Sequence, residues 1–132
     1  MDAQAKKCGV VICDDKKAFR QVISLVLDLE PDLEVLGEAQ DGEEAVRIVS
    51  ELRPDIVLLD IAMPLMDGFE ALPLIREAAP LTQVVMLSGF ASPDVRRRAL
   101  EGGACMFIEK GTDVLALVEQ IKKLCRGRDS LG

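Results

Sequence analysis

Histidine is absent from the 132 residues, and that zero excludes a large share of protein chemistry. Without an imidazole there is no Ser-His-Asp triad, no histidine base and none of the common zinc constellations. The four cysteines, Cys8, Cys13, Cys105 and Cys125, show no Cys-x-x-Cys spacing. Three of them lie in apolar runs, where a free thiol behaves as a small hydrophobe. Neither Gly-x-Gly-x-x-Gly nor a P-loop is present, which argues against nucleotide binding. No secretory apolar region opens the chain and no run approaches ~18 apolar residues. These absences describe a reduced, soluble, cytoplasmic chain with no membrane partner. Any chemistry must run on carboxylates, lysine, hydroxyls or thiols.

What is present suffices for one core. At 132 residues and 49% apolar content, a single domain buries roughly two thirds of its extended-chain surface without staples. Acidic side chains number 23 against 16 basic ones, a net charge of −7, which speaks against direct nucleic-acid binding. The charge is uneven: Asp28 to Asp60 holds 11 acids and 2 bases, whereas Arg96 to Arg128 holds 8 bases and 4 acids.

Five short, β-branched runs, Gly9 to Cys13, Leu33 to Gly37, Ile56 to Ile61, Val84 to Ser88 and Cys105 to Ile108, read as strands. Between them the apolar positions take helical spacing, as in Phe19, Val22, Ile23, Val26 and Leu27, or Val114, Leu117, Val118, Ile121, Leu124 and Cys125. Five alternations imply an α/β fold, a doubly wound five-stranded parallel sheet with helices on both faces. The first and third runs are continuously apolar, as central strands are, whereas Leu33-Glu34-Val35 alternates like an edge strand. The expected order is therefore 2-1-3-4-5, the flavodoxin-like one. Pro73 falls within the third helical segment, and its ring predicts a helix that starts late, with Pro73 in the first turn. Residues 1–126 form the domain, and Arg126 to Gly132 reads as a frayed tail, with 127–132 as a linker remnant.

Ligands of such sheets bind outside the carboxyl ends of the strands. Those ends carry Asp14 and Asp15 after the first strand, Asp60 after the third, Ser88 after the fourth and Lys110 after the fifth. Each alone has a plainer reading: an aspartate at a strand–helix junction caps the helix, and Ser88 before Gly89 suits a turn. Their joint placement favours a site. Three clustered carboxylates repel unless a hard cation joins them, and octahedral Mg²⁺ fits better than Ca²⁺ because no EF-hand spacing is present. The lysine beside them suits a ligand with additional negative charge, such as a phosphoryl group.

Asp14-Asp15, Asp60-Ile-Ala-Met-Pro-Leu-Met-Asp-Gly68, Leu87-Ser-Gly89 and Phe107-Ile-Glu-Lys110 together resemble the receiver domain of two-component response regulators. Gly37-Glu-Ala-Gln-Asp-Gly-Glu-Glu-Ala45 and Arg53-Pro-Asp55 are most similar to receivers that precede a helix-turn-helix output domain. The resemblance implies that Asp60 accepts a phosphoryl group from a histidine kinase or a phosphotransfer protein. It also implies Mg²⁺ held by Asp14, Asp15, Asp60 and the Ala62 carbonyl, with Lys110 and Ser88 on the phosphoryl oxygens. Phe107 becomes the aromatic whose inward rotation accompanies switching of the surface made by helix 4, strand 5 and helix 5. On this reading the chain is a signalling module rather than an enzyme, promoting only its own phosphotransfer and dephosphorylation. It controls a downstream protein or a missing output domain, and a phosphorylation-dependent homodimer stays open. The basic stretch Arg96 to Arg98 suits an acidic partner or a plain solvated helix face.

Three departures stand out: Gly111 where the family usually has proline, Ala62 and Phe90 beside the site, and Ser88 in place of threonine. A peptide bond before a non-proline residue is trans, since cis costs ~2.5–4 kcal/mol. Ala62 and Phe90 cannot orient an attacking water, so the acyl phosphate is expected to be long-lived. Two other readings compete. A haloacid-dehalogenase-type phosphatase needs a second aspartate where Ala62 stands, and a non-phosphorylated pseudo-receiver would serve only as an interaction module.

Overall fold

The computed structural model describes residues 7–131, with side chains described through residue 127. Strands and helices alternate as β1 (Cys8–Cys13), α1 (Lys17–Asp28), β2 (Leu33–Ala39), α2 (Gly42–Leu52), β3 (Ile56–Asp60), α3 (Gly68–Ala78), β4 (Gln83–Ser88), α4 (Pro93–Glu101), β5 (Met106–Glu109) and α5 (Val114–Leu131). All neighbouring strands are parallel, in the order β2-β1-β3-β4-β5. Every residue of β1 and β3 is buried, whereas β2 alternates between buried and exposed positions, as its place at the edge requires.

Alternation within the strands divides the core in two. Val11, Cys13, Val57, Leu59, Val84 and Met86 pack with α2, α3 and α4 on one face. Val10, Ile12, Ile56, Leu58, Val85 and Leu87 pack with α1 and α5 on the other. A strand covered on both faces must be apolar at every position, which explains the unbroken runs in the sequence.

Three expectations need correction. First, α3 starts at Gly68, so Pro73 lies in the helix interior and not in its first turn. Its ring removes one backbone bond, but Asp67 and Glu70 form a capping box, with the Glu70 N–H donating to Asp67 at 2.8 Å and the Asp67 N–H donating to Glu70 at 2.9 Å. Burial of Ala71, Leu72 and Ile75 adds to that cap and offsets the break. Second, the chain from Arg126 is not a frayed tail, since α5 continues as helix to Leu131. Residues 1–6 and Gly132 lie outside the described residues.

Third, the chain is not fully reduced: Cys8 and Cys125 form a disulfide across a sequence separation of 117, with their Cα atoms 6.0 Å apart. No local motif announces this pair, because only the fold sets the start of β1 against the end of α5. Cys13 stays free and buried, as a small hydrophobe does, and Cys105 is free and exposed.

Replacing Pro73 by alanine restores the missing helical bond and is expected to raise stability by about 1–3 kcal/mol. Urea unfolding reads this directly. An unchanged or lowered midpoint would show that the ring costs the helix nothing.

Candidate functional site

The carboxyl ends of β1 and β3 place Asp14 and Asp60 side by side, both essentially buried at 0% and 2% exposure. Asp15, the next residue along, is exposed. One carboxylate oxygen from each of Asp14, Asp15 and Asp60 lies within 4.8 Å of the others. Lys110, one residue past β5, reaches across the cleft. Its Nζ stands 2.5 Å from Asp14 Oδ2 and 3.3 Å from Asp60 Oδ2. Two buried carboxylates thus share one ammonium, and the third acid faces solvent.

Local backbone geometry fixes these groups. The Lys16 N–H donates to Asp14 Oδ1 at 2.8 Å, an Asx turn that leads the chain into α1. Gly68 opens α3 directly against β3: its N–H donates to the Ile61 carbonyl at 2.8 Å, and a Cβ there would collide with the Asp60 carbonyl oxygen. Glycine is needed for this close approach. The Lys110 N–H donates to the Ser88 carbonyl at 2.9 Å, so the lysine is registered to the end of β4. No peptide bond among the described residues is cis, and the Lys110–Gly111 bond is trans as expected.

The other sequence-selected residues differ in how closely they join the cluster. Ser88 ends β4, but its hydroxyl donates to the Phe90 carbonyl at 2.6 Å and accepts the Phe90 N–H at 3.0 Å. The hydroxyl is therefore closed on its own turn. Ala62 is exposed, and its N–H donates to the Asp60 carboxylate. Phe107 is 5% exposed and packs in the core beneath α2, α3 and α4. Of the three arginines on α4, Arg97 pairs with Asp94 at 2.8 Å and Arg98 lies 4.0 Å over the Phe69 ring. Arg96 instead lines a groove of about 400 Å³ with Phe107, Glu109, Ala116 and Gln120.

Two contributors escaped the sequence reading. Phe19 sits under Lys110, with Nζ 4.7 Å from the ring centroid. Arg20 donates from Nη1 to the Asp14 carbonyl at 2.7 Å and from Nε to Glu38 at 2.9 Å. Ser24 completes the brace through Glu38 at 3.2 Å. Phe19 belongs to the apolar stripe of α1 and Arg20 lies beside it, and nothing in that pattern indicates that the helix's first turn folds over the strand end.

The electrostatics are unbalanced. Burial and then the Asp14 charge raise the Asp60 carboxyl, Lys110 and the Ala62 N–H pull it partly back, and together they leave it at about 6. Burial of the Lys110 ammonium works against its charge, but its hydrogen bond to Asp14 and the charges of both aspartates leave it above the ordinary lysine value. A cleft whose acids exceed its bases and whose buried carboxylate resists ionisation fits a divalent cation with oxygen ligands. Asp14, Asp15 and Asp60 are the groups able to hold one.

A five-stranded 2-1-3-4-5 sheet with acids and a lysine at its strand ends defines a CheY-like receiver fold. Residues 10–122 match the family model described as response regulator receiver domain, and the chain belongs to that family. It is 39% identical over 127 residues to a protein-glutamate methylesterase/protein-glutamine glutaminase of Geobacter sulfurreducens, covering 92% of this chain and 34% of that protein. It is 35% identical to the transcriptional regulatory protein DegU of Brevibacillus brevis, covering 92% of this chain and 51% of the relative. The chain therefore spans about a third to a half of these relatives' lengths. Among solved structures, the signal receiver domain of the putative response regulator NarL from Mycobacterium tuberculosis superposes with a TM-score of 0.87 at 32% identity, covering 93% of this chain and 99% of that one. The response regulator domain of Thermotoga maritima CheB gives 0.81 at 33% identity, covering 92% and 96%. Phosphorylation, an acidic pocket for Mg²⁺ and a cytoplasmic location are typical of the family. No helix among the described residues is long and apolar enough to cross a membrane.

Because Asp60 binds its proton more tightly folded than unfolded, its protonated form stabilises the fold at low pH. That contribution is full below about pH 4 and is lost as pH rises through about 6, a cost near 3 kcal/mol by linkage. Without divalent cations, Asp60→Asn is therefore expected to be more stable than the parent by about 1–3 kcal/mol at pH 7.5, with the gap closing towards pH 4. Denaturation across this pH range checks it. A gap that widens on acidification would reverse the sign of the argument.

Proposed function

We propose that this chain is a phosphorylatable receiver in which Asp60 takes a phosphoryl group from a histidine kinase, a phosphotransfer protein or a small phosphodonor. The observation that carries the reading is the buried Asp14–Lys110–Asp60 bridge beside the solvent-facing Asp15. Asp60 Oδ attacks phosphorus as the bond to the donor's imidazole nitrogen breaks, and the released imidazole takes up a proton from solvent. Asp14, Asp15 and Asp60, with the Ala62 carbonyl, would hold Mg²⁺. When bound, the cation neutralises charge that accumulates on the transferring group. Lys110 then exchanges its hold on the Asp60 carboxylate for the phosphoryl oxygens, remaining paired with Asp14.

Switching follows from the Ser88 turn. The phosphoryl group carries about one more negative charge than the carboxylate it replaces and adds acceptor oxygens. Ser88 can donate to one of them only by releasing the Phe90 carbonyl, which moves the β4–α4 connection. That connection leads into α4, and the groove between α4, β5 and α5 includes Phe107 on its wall. The changed surface acts on a downstream protein or an output domain, in a cytoplasmic setting. The chain turns over no substrate of its own. A pseudo-receiver that keeps the fold and lacks the reaction remains the second reading, favoured by the closure of Ser88 on Phe90.

Incubation with acetyl phosphate and Mg²⁺ is expected to add one phosphoryl group by intact mass, and Asp60→Asn to abolish the addition. No addition from acetyl phosphate or from kinase donors would sink the proposal. Exposed Ala62 offers no side-chain polar group to an attacking water, so Ala62→Asn is expected to shorten the phosphoryl lifetime severalfold. An equal or longer lifetime in that variant, followed by phosphate release, would contradict the role given to this position.

A further inference from the structure

We infer that Arg20 is a positioning residue for the divalent cation: it fixes the peptide joining Asp14 to Asp15, and so the direction from which the exposed Asp15 carboxylate meets the two buried ones. The inference rests on the Mg²⁺ site proposed above and gives a role to a side chain outside its ligands.

Arg20 lies in the first turn of α1, where an arginine can extend into solvent, yet its side chain is only 13% exposed. The guanidinium meets acceptors on two other segments. Nη1 donates to the Asp14 carbonyl at 2.7 Å and Nε donates to Glu38 Oε1 at 2.9 Å. Ser24, one turn further along α1, donates to the other Glu38 oxygen at 3.2 Å. Glu38 belongs to β2, so the planar fork is clamped between α1, the edge strand and the end of β1. Glu38 also offsets the Arg20 charge locally, and what the clamp brings to the cleft is chiefly geometry.

The Asp14 carbonyl and the Asp15 N–H lie in one peptide plane. A donor held on that oxygen therefore fixes the rotation of the plane, and with it the point from which the Asp15 side chain starts. Asp14 itself is secured by other groups. Its N–H donates to the Ala39 carbonyl at 2.9 Å, its Oδ1 accepts the Lys16 N–H at 2.8 Å, and its Oδ2 pairs with Lys110. Arg20 thus acts on the link to Asp15 more than on the buried carboxylate. With that plane loosened, Asp14 and Asp60 keep their places while the third oxygen is free to leave the 4.8 Å cluster. Mg²⁺ demands near-ideal placement of its oxygen ligands, so groups that orient those ligands set its affinity.

Calorimetric titration of the folded chain with Mg²⁺ alone, at fixed ionic strength, tests this without a phosphodonor. Arg20→Met removes a positive charge near three acids, so charge by itself predicts tighter binding, whereas loss of the clamp predicts weaker binding. The expected dissociation constant is about tenfold higher in Arg20→Met. It should also rise severalfold in Arg20→Lys, which keeps the charge and lacks the planar fork. A staple with no positional role would lower the unfolding midpoint of both variants and leave the Mg²⁺ constant unmoved. Parent-like or tighter binding in Arg20→Met, or parent-like binding in Arg20→Lys, would overturn the inference and leave the proposed site standing. A parent chain that takes up no Mg²⁺ would instead remove the site itself, and the inference with it.

Discussion

The structure turns on one buried ammonium shared by two buried carboxylates. Lys110 bridges Asp14 and Asp60 at 2.5 and 3.3 Å, and without it β1 and β3 would end in uncompensated charges inside a low-dielectric cleft. Removing the lysine is strongly destabilising, because it leaves two buried carboxylates facing each other unpaired. Even with the lysine in place, the acids outnumber it. Burial first, and the Asp14 charge second, hold the Asp60 carboxyl above its ordinary range, and a divalent cation can relieve that excess of negative charge.

Much of the fold serves to hold that bridge in register. The parallel order β2-β1-β3-β4-β5 brings the ends of β1, β3 and β4 together, while the Lys110 N–H bond to Ser88 ties the last strand's exit to the same edge. Gly68 lets α3 begin against the Asp60 backbone. From the other face, α1 contributes Phe19 beneath the ammonium and Arg20 on the Asp14 carbonyl. The site is thus braced from both faces of the sheet, while the Ser88 hydroxyl is spent on a local turn.

Strand positions and the strand-end residues were legible because burial on both faces forces continuous apolar runs, and because parallel topology delivers every carboxyl end to one edge. Pro73 misled because its ring penalty is local, whereas the Asp67–Glu70 cap and the burial of Leu72 and Ile75 act on the whole helix. The disulfide was invisible for a different reason. Residues 117 positions apart carry no spacing signal until a fold joins them. Arg20 was hidden inside an amphipathic repeat, since a pattern of apolar positions says nothing about what a polar residue beside it reaches.

The central claim is that Asp60 is the residue that accepts phosphoryl. Borohydride reduces an acyl phosphate on aspartate to homoserine, so treating the phosphorylated chain and mapping its peptides by mass locates the acceptor. The account expects homoserine at position 60 and unmodified aspartate at 14 and 15. Homoserine at either of those positions, or at none in a chain that carries phosphoryl, would contradict it.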